Sequence, residues 1–342
     1  MGLINIETKR RLETWLAHEF SAEHVQIKSH APLGGGAIST NLAVDLVVDG
    51  GPLFGPQALV LRADSTARVS ASLTKPQEFA VLNKAFLSGI KVPEPLAVCT
   101  DTELLGQQFY VMRRLAGESA GRLIVKANQP QTELAHELGR QLGLLHCIGP
   151  GTEGLEFLPM PSPTPALARV ELYRKWLEEI AVRDPVLAFG LRWLEINAPP
   201  RGEIVLGHWD YRTGNYLIDD GKLLGILDWE FAGWADPMAD VAWFCTRSWR
   251  FGRHDREAGG IADRSHFYSG YEETSGRQVD EQRVSYWEAA AYVRWATIAL
   301  QQAHRHMSGA DQSLELALTG RMVPDIELDL VTYLDRLESR EN

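Results

Sequence analysis

The sequence predicts an α+β fold in two parts, a small N-terminal lobe built on a β-sheet and a larger, mainly helical C-terminal lobe. The chain has 342 residues, which corresponds to about two domains at roughly 150 residues each. Short runs rich in Val and Leu dominate the first third, whereas apolar residues at helical spacing dominate the rest. The change falls near residues 113–117. We therefore predict one lobe over residues 1–115 and a second over residues 116–342.

The first lobe is predicted to combine two helices with several strands. Leu12, Leu16 and Phe20 lie at helical spacing and indicate an amphipathic helix within the first twenty residues. Thr74 followed by Gln77 is typical of a capping box and predicts a helix through the high 80s. Strands are predicted at residues 42–48, 59–63 and 109–112.

The second lobe is predicted to be mainly helical. Leucines recur at helical spacing between Leu134 and Leu145, and this helix should end before Gly149. Helical patterns return over residues 166–195 and 284–298.

Composition and charge exclude several classes of protein. Hydrophobic residues make up 45 % and charged residues 23 %, which is typical of globular chains and unlike disordered or disulfide-rich ones. The net charge of −11 disfavours a nucleic-acid partner. Three scattered cysteines and the lack of a membrane-spanning or signal segment favour a reducing, cytoplasmic location without a membrane partner.

Residues 207–230 carry the strongest chemical signal. Asp220-Gly221, between two apolar runs, predicts a two-residue hairpin turn. Pairing across this turn would leave Asp228 a diagonal neighbour of Asn215, at about 7–8 Å between backbones. Asp210, in the loop that enters the hairpin, can approach the same point. Such oxygen ligands suit Mg²⁺ and phosphoryl transfer, in which one carboxylate orients a hydroxyl while an Asn and an Asp hold metal.

The spacing of this motif is unusual enough to separate it from a simple turn. We estimate a chance match to His-x-Asp-x4-Asn somewhere in the chain at about 1 %. The plain alternative is a hairpin whose Asp and Asn only cap turns. His208 itself is better explained as a buried brace of the loop, because Asp210 already fills the role of the base.

The motif resembles the aminoglycoside phosphotransferase and choline kinase-like family, which has a protein kinase-like fold with an antiparallel sheet in its N-terminal lobe. Three segments carry the resemblance: residues 208–215, residues 227–230 and residues 236–240. The resemblance implies that Asp210 is the catalytic base and that Asn215 and Asp228 bind Mg²⁺. It implies ATP or GTP as the phosphoryl donor and a small hydroxyl-bearing molecule as the acceptor.

The first lobe contains further matches to the family pattern. Gly34, Gly35, Gly36 and Ser39 resemble the glycine-rich loop that binds nucleotide phosphates. Arg62 stands where the family usually has a phosphate-pairing Lys, and Glu78 would be its ion-pair partner. Arg can pair with phosphate and carboxylate in a bidentate fork. A solvent-exposed Arg and a first-turn Glu that serves the helix dipole are the alternative.

The sequence favours a kinase of small molecules over a protein kinase. Trp209 replaces the catalytic-loop Arg of protein kinases, and Trp229 and Glu230 follow Asp228 in place of Phe and Gly. Seven aromatic residues lie between Trp229 and Phe251; if some line the cleft, the acceptor would have an apolar portion. The helices at residues 164–197 and 284–306 are expected to face the catalytic loop and bind the acceptor.

Three other functions stay open. The pattern from Leu61 to Met112 also resembles the kinase domain attached to some acyl-CoA dehydrogenases, which implies a hydroxyacyl-CoA acceptor. A pseudokinase would bind nucleotide without turnover. Gly117 to Gly121 fits the nucleophile-elbow pattern of a serine hydrolase around Ser119. This five-residue pattern arises by chance in about 13 % of chains of this composition.

Overall fold

A computed structural model describes residues 5–33, 39–64, 72–310 and 312–341. The chain divides into two compact units. The first extends to Gly117 and also takes in Leu217–Asp219 and Leu224–Ala232. The second holds Glu118–Tyr216, Asp220–Leu223 and the residues from Gly233 onward. Within the ranges described, no helix is both long and apolar enough to cross a bilayer.

The first unit is built on a five-stranded antiparallel sheet with the order β1-β2-β3-β5-β4. Short runs rich in Val and Leu in β2 and β3 favour this extended structure, and residues 59–63 of β3 are all buried. Its elements are α1 (Ile6–Glu19), β1 (His24–Pro32), β2 (Ser39–Asp49), β3 (Gly55–Asp64), α2 (Lys75–Leu87), β4 (Pro95–Cys99) and β5 (Phe109–Arg113).

The core of the first unit lies between α1 and one face of this sheet. Leu12 and Leu16 of α1 are fully buried against Leu42, Leu61 and other sheet residues. Thr74 and Gln77 form the predicted capping box at the start of α2, which packs against β3, β4 and β5. The sequence prediction of these two helices and of the three central strands is confirmed.

Two strands of the sheet were not predicted. In β1 only Val25 and Ile27 are buried, and the residues around them are mostly exposed. Two buried residues are too few to give a clear alternating pattern. β4 has five residues and begins at Pro95, and a proline weakens any sequence signal for a strand.

The hairpin predicted from Asp220-Gly221 is present. Its strands are β7 (Tyr216–Asp219) and β8 (Lys222–Ile226), and they form a two-stranded sheet. Asp220 and Gly221 both have positive φ, 45° and 72°, as a type I′ turn requires.

The second unit is mainly helical, as predicted. A short antiparallel pair of strands, β6 and β9, precedes and follows the hairpin. The remaining elements are α3 (Gly121–Ile124), α4 (Thr132–Leu145), α5 (Pro165–Glu179), α6 (Pro185–Ile196), β6 (Val205–Gly207), β9 (Gly233–Ala235), α7 (Pro237–Cys245), α8 (Arg264–Ser275), α9 (Glu281–Met307), α10 (Leu314–Gly320) and α11 (Val323–Glu341).

Helix α9 is the centre of the second unit. It has 27 residues, nearly half of them buried, and it contacts α5, α6, α7, α10 and α11. Helices α4 and α8 pack closely through Gly139 and Gly270, because a Cβ at either glycine would lie about 2 Å from a backbone oxygen of the other helix. The α+β class predicted from the sequence is confirmed.

Candidate active site

The loop after β6 carries Asp210 and is anchored by a buried carboxylate of α7. The Asp240 oxygens accept hydrogen bonds from the backbone N–H groups of His208, at 2.7 Å, and of Trp209, at 2.8 Å. Trp209 adopts a left-handed backbone, with φ 61°. Burial acts to raise the pKa of Asp240, but His146 and His208 hold it below its usual value. Asp240 is therefore an ionised anchor that fixes the backbone leading into Asp210.

The Asp210 carboxylate has a hydrogen-bond donor on each oxygen. Trp243 Nε1 donates to Oδ1 at 3.0 Å, and Asn215 Nδ2 donates to Oδ2 at 2.5 Å. Arg212 Nε also donates to Oδ2, at 3.3 Å. Burial acts to raise the pKa of Asp210, but Arg212, Arg294 and His208 lower it below its usual value of 3.8. At neutral pH this group is an oriented carboxylate, which can accept a proton or a hydroxyl hydrogen bond.

His208 and Asn215 both hold the loop in shape. His208 is fully buried, and its Nδ1 accepts the Asp210 backbone N–H at 3.2 Å, so its predicted role as a brace fits the structure. Asn215 is buried, and its amide nitrogen donates hydrogen bonds to both the backbone oxygen and the side chain of Asp210. Because the amide nitrogen is used in this way, the amide oxygen of Asn215 is the atom available to a cation.

The second predicted metal ligand, Asp228, belongs to the first unit. It has a left-handed backbone, its side chain is 34 % exposed, and its Oδ1 lies 3.0 Å from Arg62 Nη2. The described ranges contain no group of three or more His, Cys, Asp or Glu side chains arranged to hold a metal.

Arg62 and Glu78 form the predicted ion pair inside the first unit. Arg62 Nε lies 2.8 Å from Glu78 Oε1, and both residues are buried. Tyr110 also donates to Glu78 Oε1, at 3.0 Å. Burial opposes the charge of each partner, yet the neighbouring opposite charges raise the pKa of Arg62 and lower that of Glu78. Both groups are therefore charged in the folded chain.

Two further charged residues of the first unit, Lys75 and Glu230, were not predicted. Lys75 Nζ lies 2.7 Å from Glu78 Oε2 and donates to Ser39 Oγ at 2.8 Å. Glu230 accepts from Ser39 Oγ, at 2.9 Å, and from Arg62, at 3.3 Å. We call these residues the charged cluster: Ser39, Arg62, Lys75, Glu78, Asp228 and Glu230. The spacing of Lys75 three residues before Glu78 is the sequence signal that could have indicated part of it.

Glu230 is an acid of the charged cluster with a raised pKa. Burial raises its pKa to about 7, and the neighbouring Glu78 and Asp228 add to the rise while Arg62 opposes it. A proton on Glu230 therefore relieves the repulsion among three carboxylates.

The glycine-rich loop predicted at Gly34, Gly35 and Gly36 lies outside the described residues. Ser39, predicted with them, is buried at the start of β2 and belongs to the charged cluster. Ser119 does not fit a nucleophile elbow, since β5 ends at Arg113, well before it, and an elbow places the serine on a direct turn from strand to helix.

The aromatic residues between Trp229 and Phe251 are mainly core. Trp229, Trp234 and Phe244 are at least 95 % buried, and Trp234 Nε1 donates to the backbone oxygen of Leu158. Trp234 is therefore a core residue. Trp243 is also buried, and its indole N–H binds Asp210 directly, whereas Phe251 is exposed.

The chain is similar to known proteins in sequence and in structure. In sequence, the chain is 29 % identical over 199 residues to acyl-CoA dehydrogenase family member 11 of Gallus gallus, a match that covers 55 % of this chain and 25 % of that protein. The matches to three curated relatives, this one among them, cover 25 %, 33 % and 43 % of the relative's own length, so the chain spans less than half of each.

Solved structures show the same fold. The chain is 21 % identical to a candidate aminoglycoside phosphotransferase of Ralstonia eutropha JMP134, with a TM-score of 0.76 over 96 % of this chain and 98 % of that one. It is 14 % identical to spectinomycin phosphotransferase, solved with ADP and spectinomycin, with a TM-score of 0.58 over 93 % and 97 % of the two chains.

The comparison with protein-family models matches residues 30–277 to the phosphotransferase enzyme family. This match covers well over half of the chain and includes the Asp210 loop, Asp228 and the Arg62–Glu78 pair. The chain therefore belongs to the phosphotransferase enzyme family.

Proposed function

We propose that the protein transfers the γ-phosphoryl group of ATP or GTP to a hydroxyl of a small molecule, with Asp210 as the catalytic base. The observation that carries this proposal is the Asp210 carboxylate itself, which is ionised, partly exposed and held by Trp243, Asn215 and Arg212. A hydroxyl that donates to this carboxylate would be aligned for attack on phosphorus.

The nucleotide side of the proposal rests on Arg62. Its guanidinium, on β3, is fixed by Glu78 of α2. Structures of similar proteins have been solved with nucleotides, including ADP. Arg62 would steady the nucleotide phosphates through the planar fork of its guanidinium. Gly34, Gly35, Gly36 and Ser39 would form the glycine-rich loop over the same phosphates.

The oxygen donors of this chain fit a magnesium ion. Asn215 uses its amide nitrogen for Asp210 and leaves an amide oxygen, and the Asp228 carboxylate is one-third exposed. Both are hard oxygen ligands of the kind Mg²⁺ takes in kinases. Asn215 and Asp228 would hold the ion, which when bound neutralises charge on the nucleotide phosphates.

In the proposed reaction the acceptor hydroxyl gives its proton to the Asp210 carboxylate. The acceptor oxygen forms a bond to the γ-phosphorus, and the bond between that phosphorus and the bridging oxygen breaks. The nucleoside diphosphate leaves with the electron pair. Asp210 therefore acts by orientation and proton acceptance, the two contributions that a positioned carboxylate makes to phosphoryl transfer.

Substitution of Asp210 tests the base and separates a kinase from a pseudokinase. We expect Asp210→Asn to lower turnover at least about 100-fold, since a positioned base contributes about 10² to 10⁴. Nucleotide binding, measured by calorimetry, should remain. Turnover of Asp210→Asn equal to that of the wild type would contradict the assignment. A wild type that binds nucleotide and phosphorylates no hydroxyl in a broad acceptor panel would favour the pseudokinase.

Substitution of Asp228 tests the metal and nucleotide part separately. Titration of ATP, GTP and AMP with and without Mg²⁺ should show magnesium-dependent nucleotide binding that Asp228→Ala loses. Asp219→Ala, at an exposed position in the same hairpin, is the matched control. This variant should keep magnesium-dependent nucleotide binding. Equal binding by Asp228→Ala and Asp219→Ala would remove Asp228 from the metal site.

A hydroxyacyl-CoA is the second candidate acceptor. The observation that favours it is the similarity to acyl-CoA dehydrogenase family member 11 proteins, which extends over 92 % of this chain in the relative from Rattus norvegicus. Phosphorylation of a 3-hydroxyacyl-CoA but not of the free hydroxy acid would support this acceptor. Phosphorylation of aminoglycosides at low concentrations would favour the antibiotic kinases instead.

A further inference from the structure

Three arginines stack on three tryptophans around the Asp210 loop of the second unit. The guanidinium carbon lies 3.3 Å from the ring centroid in the first pair, 4.5 Å in the second and 4.1 Å in the third. The pairs are Arg169 on Trp209, Arg212 on Trp249 and Arg294 on Trp243.

The three arginines differ in what else they bind. Arg212 donates to the Asp210 carboxylate, and Arg294 donates to the backbone oxygen of Trp209. Arg169, on α5, forms no ion pair or hydrogen bond with any residue that the structure describes, and its guanidinium stacks on the face of the Trp209 ring. The stack covers the face of the Arg169 guanidinium, whereas the N–H groups point outward from its edge.

Arg169 stays charged in this setting. Burial lowers its pKa to about 10, and the like charge of Arg294 contributes to the drop. A group with this pKa is protonated at neutral pH. The side chain is thus a partly buried cation that is attracted by Asp240 but forms no ion pair with any described residue. This arrangement favours an additional anion beside it.

The charge balance of the site points the same way. Three guanidinium groups, of Arg169, Arg212 and Arg294, contact the segment 209–210 of this loop. Two ionised carboxylates, Asp210 and Asp240, lie among them, and Asp240 also accepts hydrogen bonds from the loop backbone. The local surplus of positive charge contrasts with the net charge of −11 for the whole chain. An anion beside Arg169 would remove this surplus.

Arg169 lies next to the part of the loop where the acceptor would bind. Helices α5 and α9 lie in the segments predicted from the sequence to face the catalytic loop, and Arg169 and Arg294 from these helices both contact Trp209. Trp209 directly precedes Asp210. A group bound by Arg169 would therefore lie on the part of the loop next to the base.

We propose that Arg169, backed by the Trp209 ring, binds an anionic group of the acceptor, a carboxylate or a phosphate, while Asp210 takes its hydroxyl. This inference rests on the proposed function and narrows its substrate class to acceptors that carry negative charge. The exposed edge of a stacked guanidinium offers two parallel N–H donors, which match the two oxygens of such a group. Polycationic acceptors would be repelled by the same arginines.

The test uses acceptors in matched pairs that differ in charge. Calorimetric titrations of 3-hydroxybutyrate against 1,3-butanediol, and of glycerol 3-phosphate against glycerol, are made with and without Mg²⁺ and the non-hydrolysable nucleotide AMP-PNP. We expect at least one anion to bind at least tenfold more tightly than its neutral partner. Arg169→Met should weaken the binding of that anion at least tenfold. Arg321→Met, a change at an exposed arginine, should leave the binding unchanged.

Further readouts separate binding from folding. Arg169→Met keeps an apolar side chain against Trp209, and its melting temperature shows whether the variant is folded. Arg169→Lys keeps the charge but not the planar fork, so it should retain part of the preference for the anion. If Arg169→Lys and Arg169→Met lose the preference equally and both melt well below the wild type, Arg169 is structural and the proposal fails.

Other outcomes overturn the proposal in distinguishable ways. If no anion binds more tightly than its neutral partner, or if Arg169→Met leaves the preference intact, Arg169 does not bind the acceptor. If Arg169→Met weakens the binding of AMP-PNP and leaves the preference for the anion intact, the guanidinium binds the nucleotide instead of the acceptor. A wild type that binds no nucleotide would refute the proposed kinase function, while the titrations without nucleotide would still decide the role of Arg169.

Discussion

At the scale of single residues, Trp243 sets the orientation of the proposed base. Its indole N–H donates to Asp210 Oδ1 at 3.0 Å, so one carboxylate oxygen is held by a side chain 33 residues further along the chain. Such a bond positions the carboxylate without touching the phosphate. We therefore treat Trp243 as a positioning residue of the site.

We predict that Trp243→Phe lowers kcat about tenfold while KM for nucleotide changes little. A hydrogen bond to a charged group contributes about 1.5–3 kcal/mol, and part of that loss would appear in turnover. The measurement is steady-state kinetics, with Trp193→Phe, at a partly exposed position on α6, as the matched control. A variant with wild-type kcat would show that Asn215 and Arg212 suffice to orient Asp210.

Glu230 gives a prediction for pH. Its pKa is raised to about 7 from a usual value of 4.5, so the folded chain keeps a proton that the unfolded chain has lost. The stabilising contribution is present below about pH 4.5 and is lost as the pH rises through about 7.

We therefore expect the melting temperature of Glu230→Gln to rise relative to the wild type between pH 5 and pH 7.5. The exposed Glu153→Gln is the matched control for the loss of one carboxyl group. A difference between Glu230→Gln and the wild type that stays constant with pH, or that changes in the opposite direction, would contradict this role of Glu230.

The sequence predicted some of these residues but not the contacts between them. Arg62 and Glu78 were predicted as a pair from the family pattern, and the structure places them 2.8 Å apart. Asp210 and Asn215 lie five residues apart and meet through one loop. Trp243 and Arg169 reach the same loop only through the packing of α7 and α5. Contacts that depend on tertiary packing leave no periodic or local sequence signal.

At the scale of elements, apolar periodicity predicted α1, α2, α4, α9 and the helical segment that holds α5 and α6. Helix α7 gave no such signal, because all nine of its residues are buried. The strands β2, β3 and β5 were predictable from short runs of Val, Leu and aromatic residues, and residues 59–63 of β3 are all buried. The close packing of α4 on α8 was not predictable, since Gly139 and Gly270 carry no hydrophobic signal. Because these two glycines lack a Cβ, the two helix backbones can approach closely.

We predict that Gly270→Ala lowers the free energy of unfolding by about 1–3 kcal/mol, the usual cost of overpacking a close contact. The new Cβ would lie 1.9 Å from the backbone oxygen of His136, so one of the helices must move. Urea unfolding measures the effect. Gly149→Ala, where no atom lies within 4 Å of the new Cβ, is the control. Equal stability of the two variants would show that α4 and α8 adjust freely.

At the scale of the whole molecule, each compact unit has a core of its own. The first unit buries Leu12 and Leu16 of α1 against the sheet. The second buries α9 among the helices around it. A chain with two such cores need not unfold in a single two-state transition.

We predict that calorimetry of the ligand-free protein gives a van't Hoff enthalpy smaller than the calorimetric enthalpy. Leu16→Ala, which opens a cavity in the first core at a cost of about 2–5 kcal/mol, should lower one component of the transition. Gly270→Ala should lower the other component, because it changes only the helix packing of the second unit. A single transition with equal enthalpies, shifted alike by both substitutions, would instead show that the two units unfold as one cooperative structure.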